Sequence, residues 1–386
     1  MDASGKITQV GYLTTPYSWT SLAAGSIFCG GIRSDGLLFT WGYNQEGELG
    51  INTIGSWGSP VQVGSKIWSK IGAGGSHMLA VDNTGALFTW GLNSNGQLGD
   101  GTTTSRSSPV QIGTSSWSVV SAGGTHAAAI RSDGALFTWG NNTYGQLGTG
   151  NTTPKSSPVQ VGSLTNWKKI VCNSAWTIAL KTDGTIWSWG ANFDGQLGLN
   201  DRNLRSSPVQ IGTDTNWNFI AASDGVNNVL AIKTDGTLYS WGEGSNGKMG
   251  NGANSSYSSP IQIGSLTNWK YVSLGPNSCA GIKTDGTLWS WGANDYGELG
   301  DGTITYQSSP IQIGSLTNWK RVEVGKNFVQ ALKTDGTLWA WGANSDGQLG
   351  NGSTSSYSSP IQIGSLTTWK FIDGSYFVMN IKDGYI

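Results

Sequence analysis

Residues 331–350 read ALKTDGTLWAWGANSDGQLG, and close copies of this stretch recur along the chain. The Trp-Gly pair at this position of the repeat recurs seven times, at intervals of 49 to 52 residues. A second tryptophan, which opens each copy, occurs eight times at a similar spacing. Self-similarity at a fixed period is typical of a repeat architecture. The opening tryptophans of the predicted repeats are Trp19, Trp68, Trp117, Trp167, Trp217, Trp269, Trp319 and Trp369.

Each repeat divides into four strand-sized pieces, which read approximately Trp-x-x-Ile, Ala-Ile-Lys, Thr-Leu-Trp-Ser-Trp and Pro-Ile-Gln-Ile. The second and third pieces are joined by Asp-Gly, as at Asp183-Gly184. This dipeptide accepts the positive φ angles of a tight hairpin turn. Because no piece has a helical period, the pattern predicts an all-β meander. Four strands in each repeat of about 50 residues predict a closed β-propeller of four-stranded blades.

The number of blades follows from counting the repeated pieces. The opening tryptophan occurs eight times, and so does the fourth strand if ITQVG at residues 7–11 is its eighth copy. We predict one propeller over residues 1–386, with eight blades and seven as the alternative. Residues 1–18 are predicted to be a closing strand and linker, 19–368 seven repeats, and 369–386 a partial eighth repeat. The N-terminal strand would complete that last blade.

The Trp-Gly segments, such as WGNNTYGQLG at residues 139–148, resemble the RCC1-like (regulator of chromosome condensation) repeat family. Gly-Gly-x-His turns at His77 and His126 strengthen the resemblance, which covers essentially the whole chain. It implies a propeller, usually of seven blades. It also implies guanine-nucleotide exchange on a small GTPase and chromatin binding, for which the founding member uses an inserted β-wedge and a basic tail. The regular spacing leaves no room for such a wedge, so exchange activity is kept as an alternative only.

A second branch of the family, the plant UV-B receptors, uses tryptophans in a Gly-Trp-Arg-His-Thr turn. The corresponding turns here end in His77, His126 and Trp176 and contain no arginine. The resemblance therefore does not imply light perception for this chain.

Composition excludes several classes of protein. Charged residues make up only 12% and the net charge is −1, with no cluster of Lys or Arg, so neither nucleic acid nor an anionic membrane is an expected partner. No apolar stretch approaches the ~18 residues of a membrane span, and the N-terminus lacks the pattern of a secretory signal. We expect a cytoplasmic or virion-associated protein whose three cysteines, Cys29, Cys172 and Cys279, are free thiols.

No motif for catalysis or for a cofactor emerges from the sequence. His77 and His126 occupy equivalent positions in neighbouring repeats, but a zinc site needs three or four ligands, so no metal is predicted. GEGSNGK at residues 242–248 imitates a phosphate loop, yet Met249 stands where Ser or Thr should hold magnesium. We predict no cofactor, no catalytic residue and no enzymatic activity, with a propeller enzyme whose site lies at the channel mouth as an alternative.

The repeats differ most on one predicted face, here named the loop face. It comprises the turn between the first and second strands and the loop between the third and fourth strands of each repeat. The opposite turns are nearly invariant, and variable loops on a constant frame favour binding of a partner. Eight rim positions are candidates: Phe28, His77, His126, Trp176, Asn228, Ser278, Phe328 and Phe377. Seven loop positions are further candidates: Trp57, Arg106, Lys155, Arg202, Tyr257, Tyr306 and position 356, which is assigned as the tyrosine 50 residues after Tyr306.

The sequence favours a non-enzymatic binding or structural module. Its loop face would dock a protein or carbohydrate partner, and the chain would belong to a larger assembly, with a phage or other viral particle as one candidate. The opposing interpretation is that the rim residues vary because packing does not constrain them. The Trp-Gly and opening tryptophans are predicted to pack blades together, and the oligomeric state is left open.

Overall fold

The computed structural model describes residues 19–367, 369–374 and 378–382. These residues form two compact units. Residues 19–193 and 201–215 make up the first unit, and residues 194–200 with those from 216 onward make up the second. In the described residues both units consist of antiparallel strands, and the one helical element is a short 3₁₀ turn, Ser245–Gly247. The all-β prediction is therefore confirmed, while the assignment of residues 1–386 to one domain stays a prediction.

The first unit contains fifteen strands in three sheets among the residues described. One four-stranded sheet contains β1 (Trp19–Ala24), β2 (Phe28–Arg33), β3 (Leu38–Gly42) and β4 (Trp57–Gln62) in that order. A seven-stranded sheet follows with β5 (Trp68–Ala73), β6 (His77–Asp82), β7 (Ala86–Gly91), β8 (Arg106–Ala122), β9 (His126–Arg131), β10 (Leu136–Gly140) and β11 (Lys155–Gln160). The third sheet contains β12 (Trp167–Cys172), β13 (Trp176–Lys181), β14 (Ile186–Gly190) and β15 (Arg205–Gln210).

The second unit repeats the same meander. Its first sheet contains β16 (Trp217–Ala221), β17 (Asn228–Lys233), β18 (Leu238–Gly242) and β19 (Tyr257–Gln262). The next sheet contains β20 (Trp269–Leu274), β21 (Ser278–Lys283), β22 (Leu288–Gly292) and β23 (Gln307–Gln312). It is followed by β24 (Trp319–Val324), β25 (Phe328–Lys333), β26 (Leu338–Gly342) and β27 (Tyr357–Gln362). Strands β28 (Trp369–Gly374) and β29 (Val378–Lys382) pair with each other.

The blade count differs from the prediction. The blades are four-stranded sheets of a β-propeller, as predicted. Five separate four-stranded sheets occur in the described residues, so the predicted count of eight blades and the alternative of seven blades are both wrong. The main reason is β8, whose 17 residues belong to two successive meanders and join them into one sheet. Gly-Ser-Leu-Thr-Asn forms the linker at residues 162–166, 264–268 and 314–318, whereas here Ser116 stays extended and pairs with Ala86. The predicted closing strand at residues 7–11 lies outside the described residues.

The Asp-Gly turns form as predicted. Gly184 has a φ angle of +78°, which glycine adopts without steric cost. The Asp183 carboxylate accepts hydrogen bonds from the Thr185 amide at 3.0 Å and the Thr185 hydroxyl at 2.7 Å. Equivalent bonds recur at Asp235, Asp285 and Asp335. Each aspartate is thereby committed to its own turn.

The Trp-Gly tryptophans connect successive repeats. Trp189 is fully buried, and its indole Nε1 donates a 2.9 Å hydrogen bond to the carbonyl oxygen of Gln146 in the preceding repeat. The opening tryptophan Trp167 packs with Trp189 and with Val161 and Leu136 of the preceding repeat. The same indole-to-carbonyl bond is made by Trp90, Trp139, Trp241, Trp291 and Trp341. The predicted packing role of both tryptophan sets is confirmed.

Candidate partner-binding surface

The base of each long loop is fixed by a buried asparagine from the Trp-Gly-x-Asn segment. In the first unit the Asn93 Oδ1 accepts a 2.9 Å hydrogen bond from the Leu98 amide. Its Nδ2 donates to the carbonyl oxygens of Thr102 and Thr104 at 3.2 and 3.1 Å. Buried amides are stable only when bonded in this way. The clamp recurs at Asn44, Asn142, Asn192, Asn294 and Asn344, and it leaves the loop tips free to vary.

The rim positions are not exposed, which corrects the sequence-based assignment. Each described member is at most 2% exposed and pairs with the glycine of a Trp-Gly segment, as His126 pairs with Gly140. A Cβ on Gly140 would lie 2.8 Å from the Cα of His126, so these glycines give the rim residues room to pack inside. The seven interior residues are Phe28, His77, His126, Trp176, Asn228, Ser278 and Phe328. Phe377 lies outside the described residues.

The two rim histidines are neutral interior groups. Burial lowers the pKa of His77 to about 4. Burial and the neighbouring His77 lower the pKa of His126 to about 3. The His126 Nε2 lies 2.9 Å from the Thr177 hydroxyl, whereas neither ring nitrogen of His77 has a hydrogen-bond partner among the described residues. Three metal-ligating side chains do not come together in the described part of the chain.

The three cysteines are buried and form no disulfide with one another, as predicted. Burial raises the pKa of the Cys29 thiol well above its ordinary range. It also raises the pKa of the Cys279 thiol to about 12. Thiols held protonated in this way are poor nucleophiles.

The segment at residues 242–248 does not form a phosphate cradle. Lys248 is buried, and its ammonium donates hydrogen bonds to the Glu243 carboxylate and, at 3.1 Å, to the Pro276 carbonyl oxygen. The Lys248 carbonyl in turn accepts the Trp291 indole bond. Lys248 therefore holds this loop together.

The predicted loop residues differ in exposure. Trp57 and Tyr306 are 45% and 43% exposed, and Arg202 is exposed as well. Arg106 is committed to a salt bridge with Asp100 at 2.7 Å. Two further members of the predicted loop set are half-buried, namely Lys155 and Tyr257. The exposed part of the set therefore includes two aromatic side chains, Trp57 and Tyr306.

The assignment of a tyrosine to position 356 is wrong. Residue 356 is Ser356, an exposed serine whose hydroxyl accepts a 3.2 Å hydrogen bond from the Asn344 amide. The tyrosine of this loop is the next residue, Tyr357, which is half-buried, begins β27 and pairs with Gly342. Tyr306 instead lies one residue before its strand, because Gln307 takes the equivalent pairing with Gly292. The shift of one residue moves the aromatic ring from the loop into the sheet, so position 356 offers a hydroxyl and no ring.

Further exposed apolar side chains were missed from the sequence. Ile54 and Ile304 are each 68% exposed. Tyr144 and Phe193, on successive loops of the first unit, stack edge to face with ring centroids 5.5 Å apart. The sequence feature that could have identified these exposed side chains is an apolar residue within an otherwise polar loop, as in INTIGSW at residues 51–57.

In the second unit three exposed apolar or aromatic residues share one loop. Tyr296, Ile304 and Tyr306 are exposed, and the Tyr306 hydroxyl donates a 2.6 Å hydrogen bond to Asp295. This hydrogen bond raises the pKa of Tyr306 to about 12. The loop thus presents two phenol rings and an aliphatic side chain on a fixed base.

The predicted channel-mouth enzyme requires a polar cluster with available groups. A polar cluster on β20 and β24 has its groups engaged with one another, because Glu323 accepts hydrogen bonds from Tyr271 at 2.5 Å and Ser273 at 2.9 Å. Arg321 donates to the same carboxylate at 2.8 Å. With three donors on its carboxylate, Glu323 ties neighbouring strands together.

These features define a class of protein, a β-propeller with four-stranded blades and exposed loops on a repeated frame. Residues 6–275 match the RCC1-like domain, and residues 285–332 and 335–375 each match the regulator of chromosome condensation (RCC1) repeat. The chain belongs to the RCC1-like family, as the sequence motifs predicted. No curated protein matches the sequence at a significant level.

Solved structures show the same fold. Human WBSCR16 is 22% identical with a TM-score of 0.73, over 91% of this chain and 99% of that chain. Prp20p from Saccharomyces cerevisiae is 19% identical with a TM-score of 0.71, over 96% of this chain and 93% of that chain. The Prp20p structure is described together with binding to Gsp1p and histones. No helix among the described residues is long and apolar enough to cross a membrane.

Proposed function

We propose that this chain is a non-catalytic binding propeller that docks a protein partner through exposed apolar tips of its loop face. The observation that carries the proposal is the group Tyr296, Ile304 and Tyr306 on one loop of the second unit. Large apolar side chains on a rigid frame lose little conformational entropy on binding, and tyrosine is enriched at energetically important positions of protein interfaces.

A second group supports the proposal from the first unit. Ile54 and Trp57 are exposed on one loop, while Tyr144 and Phe193 form a stacked pair on two others. The similar Prp20p is described as binding proteins, which makes protein the favoured partner class. The buried rim positions then support the loops from below. We further propose that the partner belongs to a larger assembly, for which a viral particle is one candidate.

The proposal is tested by site-specific photo-crosslinking in the native source. A photoreactive amino acid replaces Ile304 or Ile54, and in matched controls it replaces Leu164 or Leu316, exposed leucines of the Gly-Ser-Leu-Thr-Asn turns. We expect one protein to be crosslinked from positions 54 and 304 and not from 164 and 316. Crosslinking of the same protein from the control positions alone would contradict the assignment of the docking face.

Sedimentation of the untagged protein separates the two parts of the proposal. Movement with a large particle at fixed stoichiometry supports a role in an assembly. If the protein moves as a free 40.6 kDa chain while its crosslinks remain specific to the loop face, the docking proposal is supported and the proposed role in a larger assembly is contradicted.

A further inference from the structure

Two matching grooves lie between the fourth strands of neighbouring repeats, one in each unit. The first groove has a volume of about 390 Å³, lies between β4 and β8, and is lined by residues that include Gly50, Gln62, Lys66 and Trp68. The second groove has a volume of about 340 Å³ and lies between β19 and β23. Its lining includes Asn251, Leu266, Trp269, Lys283, Trp289 and Ser309. Both volumes are in the range of small-molecule sites.

Lys283 is the unusual residue of the second groove. It is only 2% exposed, and its Nζ lies 3.3 Å from the ring centroid of Trp289 and 4.8 Å from that of Trp269. Within the described residues its ammonium makes no hydrogen bond and no ion pair closer than 4 Å. Burial lowers the pKa of Lys283, and the more distant Asp285 carboxylate opposes this change. An ammonium has three donors, so a buried one that lines a cavity without an acceptor is suited to an oxygen ligand.

The first groove has the opposite arrangement. Asp82 stands where the second groove has Lys283, and Lys66 stands where it has Leu266. The Lys66 Nζ and Asp82 Oδ2 are 3.8 Å apart, so the cation of this groove already has a carboxylate partner. The difference between the two grooves is therefore one positive charge that no carboxylate contacts.

We propose that the second groove binds an acidic sugar, whose carboxylate meets the Lys283 ammonium and whose apolar face packs on the Trp289 ring. Trp289 is half-buried and presents an indole surface to the groove. Asn251 and Ser309 supply an amide and a hydroxyl for sugar hydroxyl groups. A carboxylate alone would use the ammonium but not the indole, which favours a sugar acid over a simple anion. The loop-face proposal is independent of this site.

The same lysine arrangement recurs in other repeats. Lys181 lies over Trp167 and Trp187, Lys233 over Trp217 and Tyr239, and Lys333 over Trp319 and Trp339, with Nζ-to-centroid distances of 3.5 to 4.9 Å. A polymer of acidic sugars could therefore contact the chain at several repeats. The test must separate Lys283 from these three copies.

The experiment is calorimetric titration with a galacturonic acid tetramer, its methyl-esterified neutral form, and an oligomer of glutamate. The protein is the full chain carrying Lys181→Gln, Lys233→Gln and Lys333→Gln, which leaves Lys283 as the remaining member of these four lysines. We expect the acid tetramer to bind at least tenfold more tightly than the neutral form, and to lose at least tenfold in affinity on addition of Lys283→Gln. Lys66→Gln, the matched control in the first groove, should leave the affinity unchanged.

Several results would overturn the proposal. These are no binding of the acid tetramer, binding unaffected by Lys283→Gln, or tighter binding of the glutamate oligomer, which would indicate a peptide ligand. If Lys283→Gln fails to fold, Lys283→Arg keeps the charge and should stay within threefold of the starting affinity. A loss of affinity in the arginine variant with its fold intact would contradict recognition by charge.

Discussion

The two grooves, one in each compact unit, are built from the same repeat, yet they differ in charge. In the first unit Lys66 and Asp82 neutralise each other at the groove. In the second unit Lys283 lies between two indole rings without a carboxylate within 4 Å among the described residues. The rim positions differ as well, because the first unit buries His77 and His126 besides Phe28 and Trp176, whereas the second buries Asn228, Ser278 and Phe328 there. The packing of the repeat is thus common to the units, and the two histidines lie in the first unit.

The largest expected difference between the units is their response to acid. The folded-state pKa values of His77 and His126, about 4 and about 3, lie below the ordinary value of 6.5. The unfolded chain therefore binds more protons, and the stability of the first unit falls as pH drops from 6.5 towards 4. At pH 5 the loss is up to about 2 kcal/mol for each histidine. Hydrogen exchange at pH 7 and pH 5 should show earlier opening of the first unit.

The matched control replaces both histidines by phenylalanine, the residue at the equivalent positions 28 and 328. His77→Phe with His126→Phe should make the exchange of the first unit as insensitive to this pH change as that of the second. Equal acid sensitivity of the wild type and the double variant would show that the histidines do not set the difference.

A feature shared by the grooves should have equal effects in both units. Gly250 has a φ angle of +74°, and a Cβ there would lie 2.9 Å from the Nε1 of Trp291. Gly250→Ala combines backbone strain with damage to the indole hydrogen bond, so we expect the free energy of unfolding to fall by about 3 kcal/mol. Gly50→Ala, with a Cβ 2.6 Å from the Nε1 of Trp90, should cost a similar amount. Urea unfolding measures both.

The control for the glycine substitutions is Gly264→Ala. Gly264 has a φ angle of +61° but no atom within 4 Å of an added Cβ. Strain alone should lower the free energy of unfolding by about 1 kcal/mol. A cost at Gly264 as large as that at Gly250 would mean that the tryptophan contact contributes nothing.

The repeat, the strands, the Asp-Gly turns and the packing tryptophans could be predicted because each depends on local pattern. Gly184 adopts a positive φ whatever surrounds it, and a tryptophan spaced regularly along a meander must pack against its neighbours. The continuous strand β8 was not predicted because it depends on the pairing of Ser116 with Ala86, which the repeat pattern does not show. Leu-Thr-Asn is absent between Gly113 and Trp117, but it is also absent between Gly64 and Trp68, where β4 and β5 are separate strands.

The interior position of the rim could not be derived from sequence for a different reason. His77 is buried because Gly91 pairs with it and Gly74 lies against its ring, and both relations depend on register. Likewise, the neutralisation of Lys66 by Asp82 requires knowing that residues 16 apart in sequence meet across a turn. The rim residues differ chemically between repeats, but this variety did not predict whether their side chains are exposed.

The comparison of the grooves can be tested by exchanging their charges. In the chain carrying Lys181→Gln, Lys233→Gln and Lys333→Gln, the further pair Leu266→Lys with Lys283→Asp gives the second groove the residues of the first. We expect the affinity for the galacturonic acid tetramer to fall about 30-fold, which corresponds to about 2 kcal/mol for a charge-assisted hydrogen bond. The reverse pair, Lys66→Leu with Asp82→Lys, should introduce binding into the first groove. Calorimetry that shows no exchange of binding between the grooves would refute charge as the distinguishing property.

The smallest effect is expected from Lys66→Gln alone. The Lys66 side chain is 53% exposed and its nitrogen is 3.8 Å from the Asp82 carboxylate, so solvent screening leaves the ion pair little energy. Asp82 also keeps its hydrogen bonds from Thr84 and Ala86. The free energy of unfolding in urea should therefore change by less than about 0.5 kcal/mol. A loss above about 1 kcal/mol would mean that the pair stabilises the first unit, and Lys66 would then be part of its packing as well as a counter-charge.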